Sequence, residues 1–166
     1  MHESNVLAAW AVAVHDRLAE GMRDVGLESR ELAALTLVAE HAGCSLDWLR
    51  ERVGLTQSGT VRLVDRLAAR DLLRRDPPRG RAVPLRLTAR GTRLLRRWAA
   101  TRDAITAGLL DGLPERDRAR LVAALARTLE SRPRVRAQAD ATCRTCTWPA
   151  CGTDCPVDRS VPSVTT

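Results

Sequence analysis

The chain has 166 residues, the size of one domain, and its formal net charge of +7 suits a polyanionic partner. Its basic residues are all Arg, and the absence of Phe and Tyr predicts an aliphatic core. The apolar run at 6–14 follows no basic segment and is shorter than the about 20 residues that a membrane span needs, so we expect a cytoplasmic protein.

Two helices are predicted before residue 44. The first is amphipathic, with a stripe of apolar residues at helical spacing: Val6, Trp10, Ala13 or Val14, and Leu18. The second is predicted from Glu31 to Ala42, with Ser29 as its N-cap and Gly43 at its end. We expect it to form the floor beneath the two helices that follow.

The next two helices have the pattern of a helix-turn-helix. Ser45 is a plausible N-cap for a short helix that ends at Gly54 and carries Leu46, Leu49 and Val53. Thr56 or Ser58 can cap the following helix. One side of that helix is apolar, through Val61, Leu63, Val64, Leu67 and Ala68.

The other side of this helix carries Ser58, Arg62, Asp65 and Arg66. Hydroxyl, amide and guanidinium groups on one face can read a major groove, where Arg suits guanine and Gln suits adenine. The candidate DNA-binding residues here are Thr56, Gln57, Ser58, Thr60, Arg62 and Arg66. The alternative is an ordinary solvated face, since many arginines contact only phosphate or solvent.

An arginine-rich hairpin is predicted next. Pro77, Pro78 and Gly80 indicate a turn, and the second strand alternates Val83, Leu85 and Leu87 against Pro84 and Arg86. A basic hairpin of this kind can reach phosphate or a minor groove. Its candidate DNA contacts are Arg74, Arg75, Arg79 and Arg81, with the last two at or near the tip.

Two further helices are predicted after the hairpin. One runs from Ala89 to Leu110, and Gly112 and Pro114 separate it from a last helix that carries Leu121, Val122, Leu125 and Leu129. Both are candidates for dimerisation. Trp10 and Trp98 are candidates for the wall of a small-molecule cavity, although large apolar residues at helical spacing more often belong to the core.

The chain resembles the MarR (multiple antibiotic resistance regulator) family over roughly residues 6–131. The resemblance lies in the segments 56–58, 61–67, 81–83 and 87–91. It implies a homodimer of winged helix-turn-helix domains, joined through N- and C-terminal helices, that usually represses genes and often responds to a small ligand or oxidant. Family wings commonly carry Asp-x-Arg at the tip, whereas this chain has Arg79 at the acidic position and keeps Arg81.

These features together predict a mainly α protein, a winged helix-turn-helix with N- and C-terminal dimerisation helices and a small β-hairpin wing. We assign residues 1–131 to this domain and residues 132–166 to a linker and a cysteine-rich tail. The expected partners are an operator in double-stranded DNA and a second copy of the chain. No nucleophile–base pair or phosphate-cradling loop rises above chance, so an enzyme is not expected.

The tail carries four of the five cysteines, spaced C-x2-C-x4-C-x3-C: Cys143, Cys146, Cys151 and Cys155. Without an export signal, such density favours metal binding or redox chemistry over structural disulfides. Pro149, Gly152 and Pro156 provide tight turns between them.

Two metal centres fit four thiolates. Zinc is slightly favoured because it is common, although zinc ribbons usually place a dozen or more residues between cysteine pairs. An iron–sulfur cluster is the close alternative, since a local loop ending in Cys155-Pro156 is similar to ferredoxin-like binding, with different spacing. The remaining alternative is a flexible reduced tail or reversible disulfides.

Cys44, His15 and His41 lie outside these patterns. Cys44 is expected to be a small buried hydrophobe, and the two histidines make no recognisable ligand set. Two rival functions also remain open: a metal- or redox-handling protein for which the winged domain is only a scaffold, and an adaptor that binds a protein partner. Neither explains why the arginines of the helix and hairpin should lie together.

Overall fold

The computed structural model describes residues 1–78, 80 and 83–162. The helices are α1 (His2–Asp24), α2 (Ser29–Glu40), α3 (Leu46–Val53), α4 (Gln57–Ala69), α5 (Ala89–Leu109), α6 (Glu115–Glu130), α7 (Arg136–Thr142) and α8 (Pro156–Arg159). Two short 3-10 helices, Trp148–Ala150 and Gly152–Asp154, lie between α7 and α8. The strands β1 (Leu73–Arg75) and β2 (Leu85–Leu87) form an antiparallel hairpin between α4 and α5. The predicted fold class, a mainly helical winged helix-turn-helix with a small hairpin wing, is therefore confirmed.

The core is aliphatic and centres on α2. Residues 31–38 of that helix are all buried, and they pack with side chains from α3, α4 and both strands: Leu49, Leu63, Val64, Leu67, Leu73 and Leu85. Trp98 of α5, 3% exposed, closes the cluster. Because the floor helix is enclosed in this way, it fixes the positions of the helices that surround it.

The structure places α2 slightly earlier than the sequence predicted. Glu28, and not Ser29, occupies the N-cap, and the carboxylate of Glu31 accepts a hydrogen bond of 3.1 Å from the backbone N–H of Glu28. The same carboxylate holds Arg70 at 2.8 Å. The helix ends at Glu40, two residues before the predicted Ala42.

The hairpin pairs Leu73 with Leu87 and Arg75 with Leu85. Pro84 differs from the prediction that placed it on the exposed face with Arg86, because the strand begins only at Leu85 and Pro84 is buried ahead of it.

The start of α5 is joined tightly to the end of the helix-turn-helix. The Thr88 hydroxyl caps α5 by accepting from Gly91 N at 3.0 Å and donates to the Asp71 carbonyl at 2.6 Å. Gly91 lies so close to β1 that a Cβ on it would meet the Leu72 carbonyl oxygen at 2.0 Å. At this point only glycine allows the two backbones to approach.

The outer helices leave apolar residues uncovered. Helix α1 packs against α5 near Gly21, yet Val6, Leu7 and Val12 are more than half exposed. On α6, Val122 and Leu125 are also exposed, and none of the residues of α6 is buried. Within the described part of the chain, no helix is both long enough and apolar enough to cross a membrane.

Candidate nucleic-acid interface

Local signals fix both ends of α3 and the start of α4. The Ser45 hydroxyl caps α3 by accepting from Trp48 N at 3.1 Å, and Gly54 ends α3 with φ at 64°. The Thr56 hydroxyl, and not that of Ser58, caps α4 by accepting from Gly59 N at 3.1 Å. The predicted turn between the two helices is thus present, and α4 begins at a defined residue.

Thr60 differs from the other candidate residues of α4. It is 1% exposed, and its hydroxyl donates to the Thr56 carbonyl at 3.0 Å. Its place on the inner side, next to Leu63 and Val64, makes it a support for the start of the helix. The structure therefore corrects its expected place beside the groove contacts.

The exposed face of α4 forms what we call the reading surface: Thr56, Gln57, Ser58, Arg62 and Arg66. Its first part is a shallow depression lined by Thr56, Gln57, Ser58, Val61 and Arg62. Among the described residues, neither Arg62 nor Arg66 forms an ion pair. Within the described part of the chain, these two guanidinium groups therefore stand on this face without a carboxylate at ion-pair distance.

The wing is tied to α4 by an ion pair. Arg75 of β1 donates to Asp65 of α4 at 2.7 Å, while Arg74 and Arg86 both pair with Asp76 at 2.5 Å. Arg75, predicted to contact DNA, thus also neutralises the only acidic group on the face of α4. The candidates Arg79 and Arg81 lie outside the described residues.

A second group of arginines was not predicted from the sequence. Arg90, Arg93 and Arg97 of α5, together with Arg70, line a cleft of about 360 Å³ next to Leu72. The signal was present in the spacing of three, four and seven residues along α5, which places such side chains on one helix face. Arg70 is already held by Glu31 and the Gly26 carbonyl.

The four tail cysteines, Cys143, Cys146, Cys151 and Cys155, line a single cavity of about 200 Å³. All are free thiols in this structure. Hydrogen bonding to Cys146 and burial raise the pKa of the Cys143 thiol, while hydrogen bonding to Cys143 lowers the pKa of Cys146 to about 7. No set of three or more His, Cys, Asp or Glu side chains in the described chain is arranged to hold a metal ion as it stands.

The cysteine segment docks on the helix-turn-helix through a buried ion pair. Arg52 of α3, 8% exposed, donates through Nε to Oδ2 of Asp140 at 2.7 Å, and Asp140 is 1% exposed. The indole of Trp98 donates to the Thr145 carbonyl at 3.2 Å. Sequence reasoning missed Arg52 and Asp140, because they lie 88 residues apart and neither belongs to a recognisable pattern. The proposed boundary at residue 131 stays a prediction.

Three aromatic rings meet beside this contact. His41 lies 4.5 Å from the ring of Trp48 and 5.1 Å from that of Trp148, measured between ring centroids. Burial is the main cause that lowers the pKa of His41, which favours the neutral imidazole. Nearby Cys44 is half-buried, and burial raises the pKa of its thiol to about 11.

A larger pocket of about 440 Å³ lies between α2 and α5. Trp98 and Leu95 contribute to its apolar wall, and Arg86 and Arg96 to its polar one. Trp10, the other candidate for a ligand cavity, is not among its lining residues and lies half-buried on α1.

The helix-turn-helix, the hairpin and the reading surface define a winged helix protein. Residues 25–82 match the model of the MarR family. The search of curated proteins gives no match. This part of the chain is therefore similar to the MarR family, and the fold matches that of solved MarR family structures.

Solved structures show how far this fold extends. RV1404 from Mycobacterium tuberculosis superposes with a TM-score of 0.70 at 24% identity, covering 77% of this chain and 90% of that chain. A MarR family transcriptional regulator from Rhodococcus sp. RHA1 superposes with a TM-score of 0.57 at 26% identity, covering 72% of this chain and 86% of that chain. The F27L mutant of S. aureus MepR, solved bound to an oligodeoxyribonucleotide, superposes with a TM-score of 0.63 at 17% identity, covering 78% of this chain and 96% of that chain.

Proposed function

We propose that the protein is a homodimeric, sequence-specific DNA-binding transcriptional regulator that acts as a repressor. The observation that carries this proposal is the reading surface of α4. Its apolar side is fixed in the core, while Arg62 and Arg66 remain exposed, and no carboxylate of the described residues neutralises them. A rigid helix with free guanidinium groups beside an amide and hydroxyls fits the major groove of a duplex.

Charge and fold support the same function. The formal net charge of +7 gives the protein an attraction for phosphate that does not depend on base sequence. The fold is shared with MepR, which binds an oligodeoxyribonucleotide. In this chain the wing is held against α4 by the pair between Arg75 and Asp65, so that both elements meet a duplex together.

The second copy of the chain would cover the apolar residues of the outer helices. Val6, Leu7 and Val12 on α1 and Val122 and Leu125 on α6 are exposed side chains of the kind that a dimer interface buries. A two-fold dimer presents two reading surfaces to two half-sites one helical turn apart, about 34–36 Å. Each half-site contact then adds to the affinity of the whole.

We place a small-molecule ligand in the pocket between α2 and α5. The 440 Å³ pocket between α2 and α5 joins apolar walls to two guanidinium groups, an arrangement that suits a ligand with an apolar body and an anionic group. A ligand there would contact both α5 and α2, the helix that packs beneath α4.

The experiment that tests the function is binding to a duplex taken from upstream of the protein's own gene, titrated with salt. We expect tight binding with clear preference over a shuffled duplex of equal length. With six or more phosphate contacts in a dimer, the affinity should fall about a thousandfold between 50 and 200 mM salt. Equal, weak binding to both duplexes would overturn sequence-specific regulation, and an adaptor or scaffold function would replace it.

A further inference from the structure

The end of the chain folds into a small lobe around one cavity. Helix α7, the two 3-10 helices and α8 bring the four tail cysteines together, and each of them lines the same space of about 200 Å³. Gly152 makes a sharp turn within the lobe, with φ at 53°. Four soft sulfur donors on one cavity are the ligand set that zinc and iron–sulfur clusters prefer.

A buried carboxylate in the same cavity is an independent sign that the cavity suits a cation. Asp140 lines the cavity and is 1% exposed. Its Oδ2 accepts a hydrogen bond from Arg52, but its Oδ1 has no hydrogen-bond partner among the described residues. The guanidinium of Arg136 lies 3.8 Å from this Oδ1, beyond hydrogen-bond distance. An unsatisfied carboxylate oxygen at such burial is costly. A cation in the cavity would offset that cost.

We propose that the four tail cysteines bind a metal centre in this cavity, and that its loading controls DNA affinity through the contact between Asp140 and Arg52. Each thiol releases its proton to solvent as its sulfur bonds to the metal. The described side chains do not form a closed site beforehand, so binding draws the turns of the lobe together. The control of DNA affinity rests on the proposed regulator function, whereas the metal centre does not.

The contact between Asp140 and Arg52 is linked to α4 in two steps. Arg52 is held on α3 by its bond to the Trp48 carbonyl at 3.2 Å, and its guanidinium carbon lies 3.8 Å from the Trp48 ring centroid. Helix α3 leads through Gly54 directly into α4. A movement of the lobe that displaces Asp140 therefore displaces Arg52 and with it α3, the first helix of the helix-turn-helix.

A second contact runs in parallel. Trp148 lines the cavity, donates through its indole to the Cys143 carbonyl at 2.9 Å and packs edge-on against His41. His41 packs in turn on Trp48 of α3. The cavity thus meets the helix-turn-helix through an ion pair on one side and an aromatic cluster on the other.

The first experiment measures zinc, iron and acid-labile sulfide per chain on protein purified without oxygen. Stripped protein is then titrated with Zn²⁺ alone and, separately, with Fe²⁺ and sulfide. We expect either about one zinc, or iron with sulfide, and loss of both when all four tail cysteines are replaced by Ser. Full-length protein that takes up neither probe, with thiols that stay free or form disulfides, would overturn the metal centre.

The second experiment compares DNA affinity with the centre loaded and stripped. We expect at least a fivefold difference for the natural chain, the lower end of usual coupling between sites. Asp140→Asn should keep its metal but lose the difference, and Arg52→Gln should do the same. The matched control is Asp154→Asn, at an exposed carboxylate of the same lobe, which should leave both loading and coupling intact. Circular dichroism confirms that each variant is folded.

The outcomes separate the two proposals. Equal affinity of the loaded and stripped natural chain would overturn the coupling while leaving regulation by DNA binding in place. No binding to the upstream duplex in either state, with metal still bound, would instead overturn the regulator function and the control that rests on it.

Discussion

Arg62 and Arg66, the exposed arginines of the reading surface, should each contribute to DNA affinity. Arg62→Ala and Arg66→Ala should each weaken binding to the upstream duplex by about 1–3 kcal/mol if the side chain reads a base, because alanine cannot form the bidentate pair with guanine. Arg127→Ala on α6, an exposed arginine of another helix, is the matched control and should change affinity little. Fluorescence anisotropy with labelled duplex measures all three.

The same measurement distinguishes base recognition from simple attraction. If Arg62 or Arg66 contacts only phosphate, its removal lowers affinity for every duplex by the same factor and reduces the salt slope by about one. If it contacts a base, its removal lowers affinity mainly for the true site. If both variants bind the upstream duplex as the natural chain does, α4 does not read DNA.

Cys44 carries a prediction on pH. Burial raises the pKa of its thiol from 9.0 to about 11, so at pH 8 the thiolate fraction should be roughly a hundredfold below that of an ordinary cysteine. Because the thiolate is the reactive form, alkylation of Cys44 by iodoacetamide should be slow and should accelerate up to about pH 11. Peptide mapping after short exposures measures the rate, and urea-unfolded protein is the control.

The raised pKa of Cys44 also makes the free energy of unfolding depend on pH. The unfolded chain releases the Cys44 proton near pH 9 and the folded chain near pH 11, so the contribution of this thiol is complete below pH 9 and is lost as pH rises through about 11. The chain has no Lys and no Tyr, so apart from the tail cysteines few other groups titrate in this range. Rapid alkylation of Cys44 at pH 8 in folded protein would contradict the raised pKa.

Single residues were predictable from sequence where their signal is local. Ser45, Gly54 and Thr56 act on backbone groups within four residues; the first two have the predicted roles, and of the two candidate caps for α4 it is Thr56 that caps the helix. Thr60 was misplaced because a hydroxyl that bonds to the carbonyl four residues earlier is compatible with a buried position. The sequence pattern alone could not show this choice.

At the scale of the element, Gly91 of α5 has no room for a side chain. Gly91→Ala would place a methyl group 2.0 Å from the Leu72 carbonyl oxygen, which is backbone and cannot turn aside. We expect it to lower the free energy of unfolding by about 1–3 kcal/mol, the usual cost of overpacking. Urea denaturation followed by circular dichroism measures the change.

Gly108 in the same helix provides the opposite case. A Cβ there meets nothing within 4 Å, so Gly108→Ala should stabilise the protein by up to about 1 kcal/mol through helix propensity. If Gly91→Ala is as stable as Gly108→Ala, the close approach of α5 to β1 does not exist in solution.

Elements were predicted well where hydrophobic periodicity and punctuation agree. Ser45, Gly54 and Thr56 mark both ends of α3 and the start of α4, and the alternating strand with prolines before it indicated the antiparallel wing. Contacts between elements were not predictable, because the pair of Arg75 with Asp65 and that of Arg52 with Asp140 depend on how the chain folds back. The proposed control by the cysteine lobe depends on the second of these pairs.

At the scale of the whole molecule, the exposed face of α6 predicts the assembly. Val122 and Leu125 are 55% and 45% exposed and lie three residues apart on one helix side. Val122→Glu combined with Leu125→Glu should shift the protein from dimer to monomer, because charge at the centre of an apolar interface is costly. Analytical ultracentrifugation over a range of concentrations measures the shift.

A matched substitution separates the face from the charge. Arg127→Glu adds negative charge to the same helix on a different side, and it should leave the assembly unchanged. The monomeric variant should also bind a two-half-site duplex more weakly than the natural chain, while single half-sites are bound alike. A double variant that remains dimeric would place the interface elsewhere.

The contacts at the start of α5 make this long helix a rigid extension of the helix-turn-helix. Its first turn is held there by Thr88, Asp71, Leu72 and Gly91. Its 21 residues extend about 30 Å toward the outer helices. A tilt of about 10° therefore sweeps one end by about 5 Å relative to the other, more than one base-pair step of about 3.4 Å. In the proposed dimer, small rearrangements at the interface would thus become a mismatch with the helical repeat of DNA.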